Sequence, residues 1–133
     1  MDIKRDFFLE NIDQFVESFY EHFFSLTPEI FELFKNSEIG KQKNEFKISI
    51  HTLLINLSQL DKLDSYFKDL GIRHICYNVS ERHYKLAKES FLYAIKKTYA
   101  DHWSKVVETK WEEIIDHVTL KMKEGVKSFE LAY

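Results

Sequence analysis

Residues 12–34 read IDQFVESFYEHFFSLTPEIFELF. Within this stretch Ile12, Phe15, Val16, Phe19, Tyr20, Phe23 and Phe24 recur at three- and four-residue steps, which places them on one face of a helix. Glu17, Glu21 and His22 fall off that face. A strand would need strict alternation, and there is none. Thr27 followed by Pro28 marks a fresh start. Threonine caps the free N–H groups of a new helix, and proline tolerates its first position because its missing N–H costs nothing there. The short helix after it carries Ile30, Phe31, Leu33 and Phe34, all expected to point inward.

The same pattern extends in both directions. Residues 2–10 read as a short helix with Phe7, Phe8 and Leu9. After a polar connection over residues 35–40, a helix over about 41–58 carries Phe46, Ile50, Leu53, Leu54 and Leu57. One turn further toward its N-terminus, that face takes in Gln42. The next helix has Leu60, Leu63, Phe67 and Leu70, and its stripe closes on His74. Ser80-Glu81 opens another, with Tyr84, Ala87, Phe91 and Ile95 inward. Beyond Tyr99-Ala-Asp101, the last helix shows Val107, Trp111, Ile114, Ile115, Val118 and Met122. The reading is all-α, with six or seven amphipathic helices.

Composition agrees. Twelve Phe, seven Tyr and two Trp stand against three Gly and one Pro in 133 residues. An all-β chain would consume far more turn residues. The length suits one domain spanning 1–133.

Several function classes lose support. The net charge is −3 and the cationic residues are scattered, so nucleic acid is not an expected partner. No apolar run approaches the roughly 18 residues of a membrane span. The N-terminus lacks the apolar stretch of a secretory signal. A lone Cys76 suits a reducing, cytoplasmic setting. The glycine-rich dinucleotide and P-loop motifs and the His-Glu-x-x-His zinc motif are missing from the sequence.

Polar residues on apolar stripes are then the informative ones. Of six histidines, His74 alone ends such a stripe. A buried imidazole needs partners for its nitrogens, and the Leu70 carbonyl, four residues back on a helix, offers one. An imidazole oriented by a backbone carbonyl can present its other nitrogen to a metal. Tyr20, Gln42 and Tyr84 are polar side chains on otherwise apolar faces; Tyr20 also reads as an amphipathic residue at the edge of the core, Gln42 as an exposed first-turn residue, and Tyr84 shares the ambiguity.

Two longer runs carry a resemblance. Phe19-Tyr20-Glu-His-Phe23-Phe24-Ser-Leu-Thr-Pro28-Glu29-Ile30-Phe31-Glu-Leu33-Phe34 and Leu70-Gly71-Ile-Arg73-His74-Ile-Cys-Tyr-Asn78-Val79-Ser-Glu-Arg-His83-Tyr84 resemble the runs of bacterial single-domain globins related to the haem domain of flavohaemoglobins. Trp111 matches a third landmark. The resemblance implies a three-over-three helical sandwich around haem b, with His74 as the proximal iron ligand. It implies Tyr20 as the distal tyrosine and Gln42 as the distal glutamine. Phe34 would pack on the porphyrin face, Phe46 would fill the apolar distal position, and Tyr84 would contact the proximal histidine. Val79 would line the same pocket, and Arg73 or Lys41 would meet the propionates. Asn78 stands where the family has glycine. Val126 stands where it has the acidic member of the proximal network.

The function that the resemblance implies is reversible binding of O2, NO or CO, in oxygen transport or nitric oxide removal. A nitric oxide dioxygenase on this chain would need an external reductase. The alternative is a globin-fold sensor or interaction module, possibly without haem. The protein would be a monomer or a homodimer.

Overall fold

The computed structural model describes residues 3–132 apart from 76–78, with the Ile75 side chain also left aside. The expectations attached to Cys76 and Asn78 therefore lie outside the described residues. Seven α-helices and no strand occur among the described residues. They are α1 (Arg5–Glu10), α2 (Ile12–Leu26), α3 (Pro28–Leu33), α4 (Ile39–Ile55), α5 (Asp64–Ile75), α6 (Glu81–Tyr99) and α7 (Lys105–Ala132).

Local chemistry sets the boundaries. Thr27 is extended, and its hydroxyl accepts from the Glu29 N–H at 3.1 Å, so α3 begins at Pro28 as the sequence predicts. Ser80 caps α6 in a reciprocal box: its Oγ accepts from the His83 N–H, and its own N–H donates to His83 Nδ1. A histidine thus fills the place usually taken by Glu or Gln.

Tertiary packing pairs α2 with α6 and α5 with α7, while α4 crosses α2. Between α2 and α6, the fully buried Ser90 meets His22 Nδ1 at 2.9 Å, and the small Ala94 sits one turn later. Between α5 and α7 the two backbones touch. A Cβ on Gly71 would overlap the Met122 carbonyl, and a Cβ on Gly125 would overlap the Lys68 carbonyl. Lys43 with Glu17 and Lys47 with Asp13 tie α4 to α2 at the surface.

The core is aromatic. Phe8 contacts Phe15 and Trp111 at ring separations of 5.0 and 5.1 Å, and Phe15 meets Phe91 at 5.0 Å. Such pairs contribute about 0.5–1.5 kcal/mol each beyond the area they bury. Ile12, Phe15, Val16, Phe19, Tyr20 and Phe23 are all buried, so the opening stripe is the core face of α2.

Two expectations are corrected. Phe31 points outward at 58% exposure, whereas Ile30 beside it is fully buried. A six-residue helix turns only a narrow sector to the core, and Ile30 occupies it. The segment before α5 also departs from a regular α-helix. Leu57–Leu63 is 3-10 helix, broken at Gln59 (φ −140°). The three-residue step from Leu60 to Leu63 suits a 3-10 turn as well as an α-helix. Accordingly α4 closes at Ile55, and Leu57 belongs to the connection.

Candidate functional site

His74 stands in the last turn of α5. Its Nδ1 lies 2.7 Å from the Leu70 carbonyl oxygen. A carbonyl only accepts, so Nδ1 carries the hydrogen and Nε2 carries the lone pair. Burial pushes the His74 pKa down, the Leu70 bond opposes this, and the neighbouring Arg73 charge adds to the lowering. The ring is therefore neutral at pH 7, which is the form that binds metal. Contact of Gly71 with α7 fixes the depth of this helix three residues before the imidazole.

Tyr20, Phe34 and Phe46, which the sequence places on three separate segments, come together. The Tyr20 ring is buried and lies edge-on to Phe34 at 6.0 Å and to Phe46 at 5.7 Å. Burial first, and then the Glu45 carboxylate, raise the Tyr20 pKa far above its ordinary 10.0. Its hydroxyl remains a hydrogen-bond donor at any physiological pH. Gln42 lies one turn before Phe46 on α4, in a polar cleft of about 300 Å³ shared with Ser37, Glu38, Lys41 and Glu45. Lys41 and Arg73 are exposed.

Tyr84 sits in the first turn of α6, half-buried. Its pKa is raised by burial and by Glu81, and Lys123 Nζ stands 5.3 Å from the ring centroid. Val126, at the position where the resemblance leads one to expect an acidic residue, is half-buried on α7.

Two features escaped the sequence reading. Glu45 is the charge that acts on Tyr20, and its three-residue step from Gln42 was the available signal. The other is a clamp between the starts of α3 and α6. His83, 7% exposed, has its Nδ1 occupied by the Ser80 N–H, so its Nε2–H donates to Glu29 at 2.5 Å, while Arg82 pairs with the other Glu29 oxygen. Periodicity cannot show that contact, because it joins residues more than fifty positions apart.

Among the described residues, no group of three His, Cys, Asp or Glu side chains could hold a bare metal ion. A single imidazole binds iron firmly only when something else supplies the other ligands, and a porphyrin supplies four. The surroundings suit such a group. Phe34, Phe46, His74, Val79 and Tyr84 are all half-buried rather than buried, leaving apolar surface for a flat apolar ring to cover.

Among the described residues, seven helices with α2 packed on α6 and α5 on α7, and a largely buried histidine on α5, fit a globin architecture. Residues 17–122 match the Globin family, and the chain belongs to it. A solved protein of Pseudomonas aeruginosa PAO1, described as structurally highly homologous to a human haemoglobin, shares the fold. Its TM-score is 0.74 at 19% identity, over 91% of this chain and 96% of that one. Leghemoglobin-1 of Lupinus luteus is 31% identical over 64 residues, which span 48% of this chain and 42% of the relative. An anaerobic nitrite reductase of Gossypium hirsutum is 24% identical over 125 residues, covering 83% of this chain and 76% of that protein. The all-α expectation and the globin assignment thus hold. Globins as a family bind haem and small diatomic gases. Among the described residues no helix is long and apolar enough to cross a membrane.

Proposed function

We propose that this globin would hold haem b through His74 Nε2 and bind O2, NO or CO reversibly. The observation that carries the reading is the 2.7 Å bond from His74 to the Leu70 carbonyl, which fixes the tautomer a metal ligand needs. A haem bound there supplies an iron atom with one coordination position open to a diatomic ligand.

The chain's own residues then have separate tasks. Leu70 orients the imidazole and raises its basicity. Phe34 and Phe46 present apolar ring surface and keep water from the pocket. Tyr20 holds its proton on a buried hydroxyl and donates to a ligand that carries partial negative charge, with Gln42 as a second donor. A hydrogen bond of that kind contributes about 1–3 kcal/mol, or roughly ten- to hundredfold in residence time. Arg73 and Lys41 are cations at the surface, suited to the propionates. Repeated turnover with nitric oxide would need electrons, and an external reductase is the source proposed for them.

The test is the absorption spectrum of purified protein supplied with haem, in its ferric, ferrous and CO forms. Wild type should show a Soret band and a CO-shifted ferrous spectrum. His74→Ala should lose the ferrous–CO signature of an imidazole-ligated iron. A folded wild-type protein with no Soret band overturns the reading, as does a His74→Ala spectrum identical to wild type.

A further inference from the structure

A second cavity shares no residue with the pocket described above. It measures about 760 Å³ and opens where the start of α1, the 3-10 stretch after α4, the Ala100–His102 turn and the start of α7 converge. Its wall carries Lys4, Arg5, His102 and Lys110, with Ser58 and Phe7 between them. Among the described residues Asp6 is the one carboxylate lining it; that side chain is 92% exposed and only 3.9 Å from Arg5. Lys110 approaches Glu113 at 3.8 Å, a loose pair across one turn. On a chain of net charge −3, three permanent cations around one concavity are a local reversal of sign, and such concavities concentrate anions.

The cations are held in place by the core beneath them. Trp111 Nε1–H donates to the Tyr99 hydroxyl at 2.9 Å, and that hydroxyl donates to the Ile3 carbonyl at 2.5 Å. All three of these residues are essentially inaccessible to solvent. Two of them adjoin cavity cations, Ile3 before Lys4 and Trp111 directly after Lys110, and Tyr99 leads into the turn that ends at His102. One buried chain of hydrogen bonds thus fixes three stretches of backbone that line the cavity. Lys4 itself is left-handed (φ 54°, ψ 54°), one of two non-glycine residues with positive φ among those described. That conformation is costly for lysine and persists only where the surroundings impose it. Its ammonium donates to His102 Nδ1 at 3.3 Å, and the His102 ring lies 4.4 Å from that of Phe7. His102 Nε2–H is then a donor on the same wall as the cations.

We infer that this cavity is an anion site for an oligophosphate, taken either as a free chain or as the tail of a nucleoside triphosphate. The ligand class rests on the donors. Lysine and arginine from two stretches, Lys4 and Arg5 at the start of α1 and Lys110 on α7, suit several phosphate groups better than one, and the volume exceeds what a single small anion fills.

The test uses the full-length protein and isothermal titration with tripolyphosphate, ATP and adenosine at low and moderate salt. Tripolyphosphate should bind with an affinity that falls as salt rises. Lys110→Ala and Lys4→Ala should each weaken it by about three- to tenfold. The triple variant with His102→Ala added should show no binding, while its melting curve without ligand confirms the fold. Equal affinities for tripolyphosphate and ATP support recognition of the phosphate chain alone. Tighter ATP binding supports the nucleotide as the source. No heat at millimolar tripolyphosphate, unchanged affinity in the triple variant, or adenosine binding as tightly as ATP would each overturn the assignment.

Discussion

His74 Nδ1 and the Leu70 carbonyl oxygen lie 2.7 Å apart across one turn of α5. Two effects oppose each other at that imidazole. Burial, joined by Arg73, lowers the pKa, and the bond to Leu70 raises it; the net direction is down from 6.5. The folded protein therefore binds the proton less readily than the unfolded chain. Stability from this group is complete above 6.5 and is lost as pH falls from there toward the depressed folded value. Urea denaturation of haem-free protein checks it. Wild type should lose stability relative to His74→Gln between about pH 7.5 and about pH 5.5, with a ceiling of about 1.4 kcal/mol per pH unit for one proton. Parallel pH profiles for the two proteins would contradict the prediction.

The three glycines make a graded series. A Cβ at Gly71 or Gly125 meets backbone of the opposite helix, and backbone cannot rotate away. Gly71→Ala and Gly125→Ala should each destabilise by about 1–3 kcal/mol, the cost of overpacking a close contact. Gly40 lies in the first turn of α4 with open space around it. Gly40→Ala should be neutral or stabilising by up to about 1 kcal/mol. Chemical denaturation measures all three. Because Gly71 sets the position of α5, its variant should also alter the ligand-binding spectrum, and Gly125→Ala should do so less.

How much of the molecule is legible in its sequence depends on the distance over which each feature is encoded. The α2 stripe and the Thr27-Pro28 restart are local, and both appear as read. His74 with its Leu70 partner is also local, since four residues on a helix make one turn. Phe31 reads as inward yet lies outward, because a two-turn window cannot tell which of two adjacent apolar residues wins the inward sector. The contacts of Gly71 with Met122 and of His83 with Glu29 are set by how helices cross. No periodicity within one helix specifies that crossing. Tyr20, Phe34 and Phe46 each read as lying on apolar faces, but their meeting is a property of α2, the end of α3 and α4 together.

Tyr20 offers a test that separates hydroxyl from ring. The ring packs edge-on against Phe19, Phe34 and Phe46, and Tyr20→Phe preserves that packing. Stability should change by less than about 1.5 kcal/mol. Oxygen dissociation measured by stopped flow should speed up by roughly ten- to hundredfold, the value of one donor in a water-poor pocket. Alkaline titration of tyrosinate absorbance should show the complementary effect. Tyr20 ionises well after an ordinary tyrosine because burial and Glu45 both disfavour the phenolate, so the variant should lose one late, strongly alkaline step. An unchanged dissociation rate would remove Tyr20 from the ligand site.

The clamp between α3 and α6 can be dissected by pH. Glu29 is held below its usual carboxylate range, first by the His83 hydrogen bond and, against the cost of burial, also by the Arg82 charge. A depressed carboxyl contributes stability above its ordinary 4.5, and that contribution disappears as pH falls through the folded value. Glu29→Gln should therefore melt below wild type at neutral pH, with the gap closing as the pH drops under 4.5. Ser80→Ala removes the cap on α6 without touching that carboxylate. It should cost about 1 kcal/mol at both ends of the pH range. A Glu29→Gln deficit that persists unchanged in acid would mean that the carboxylate's charge contributes nothing, and that His83 is held by Ser80 alone.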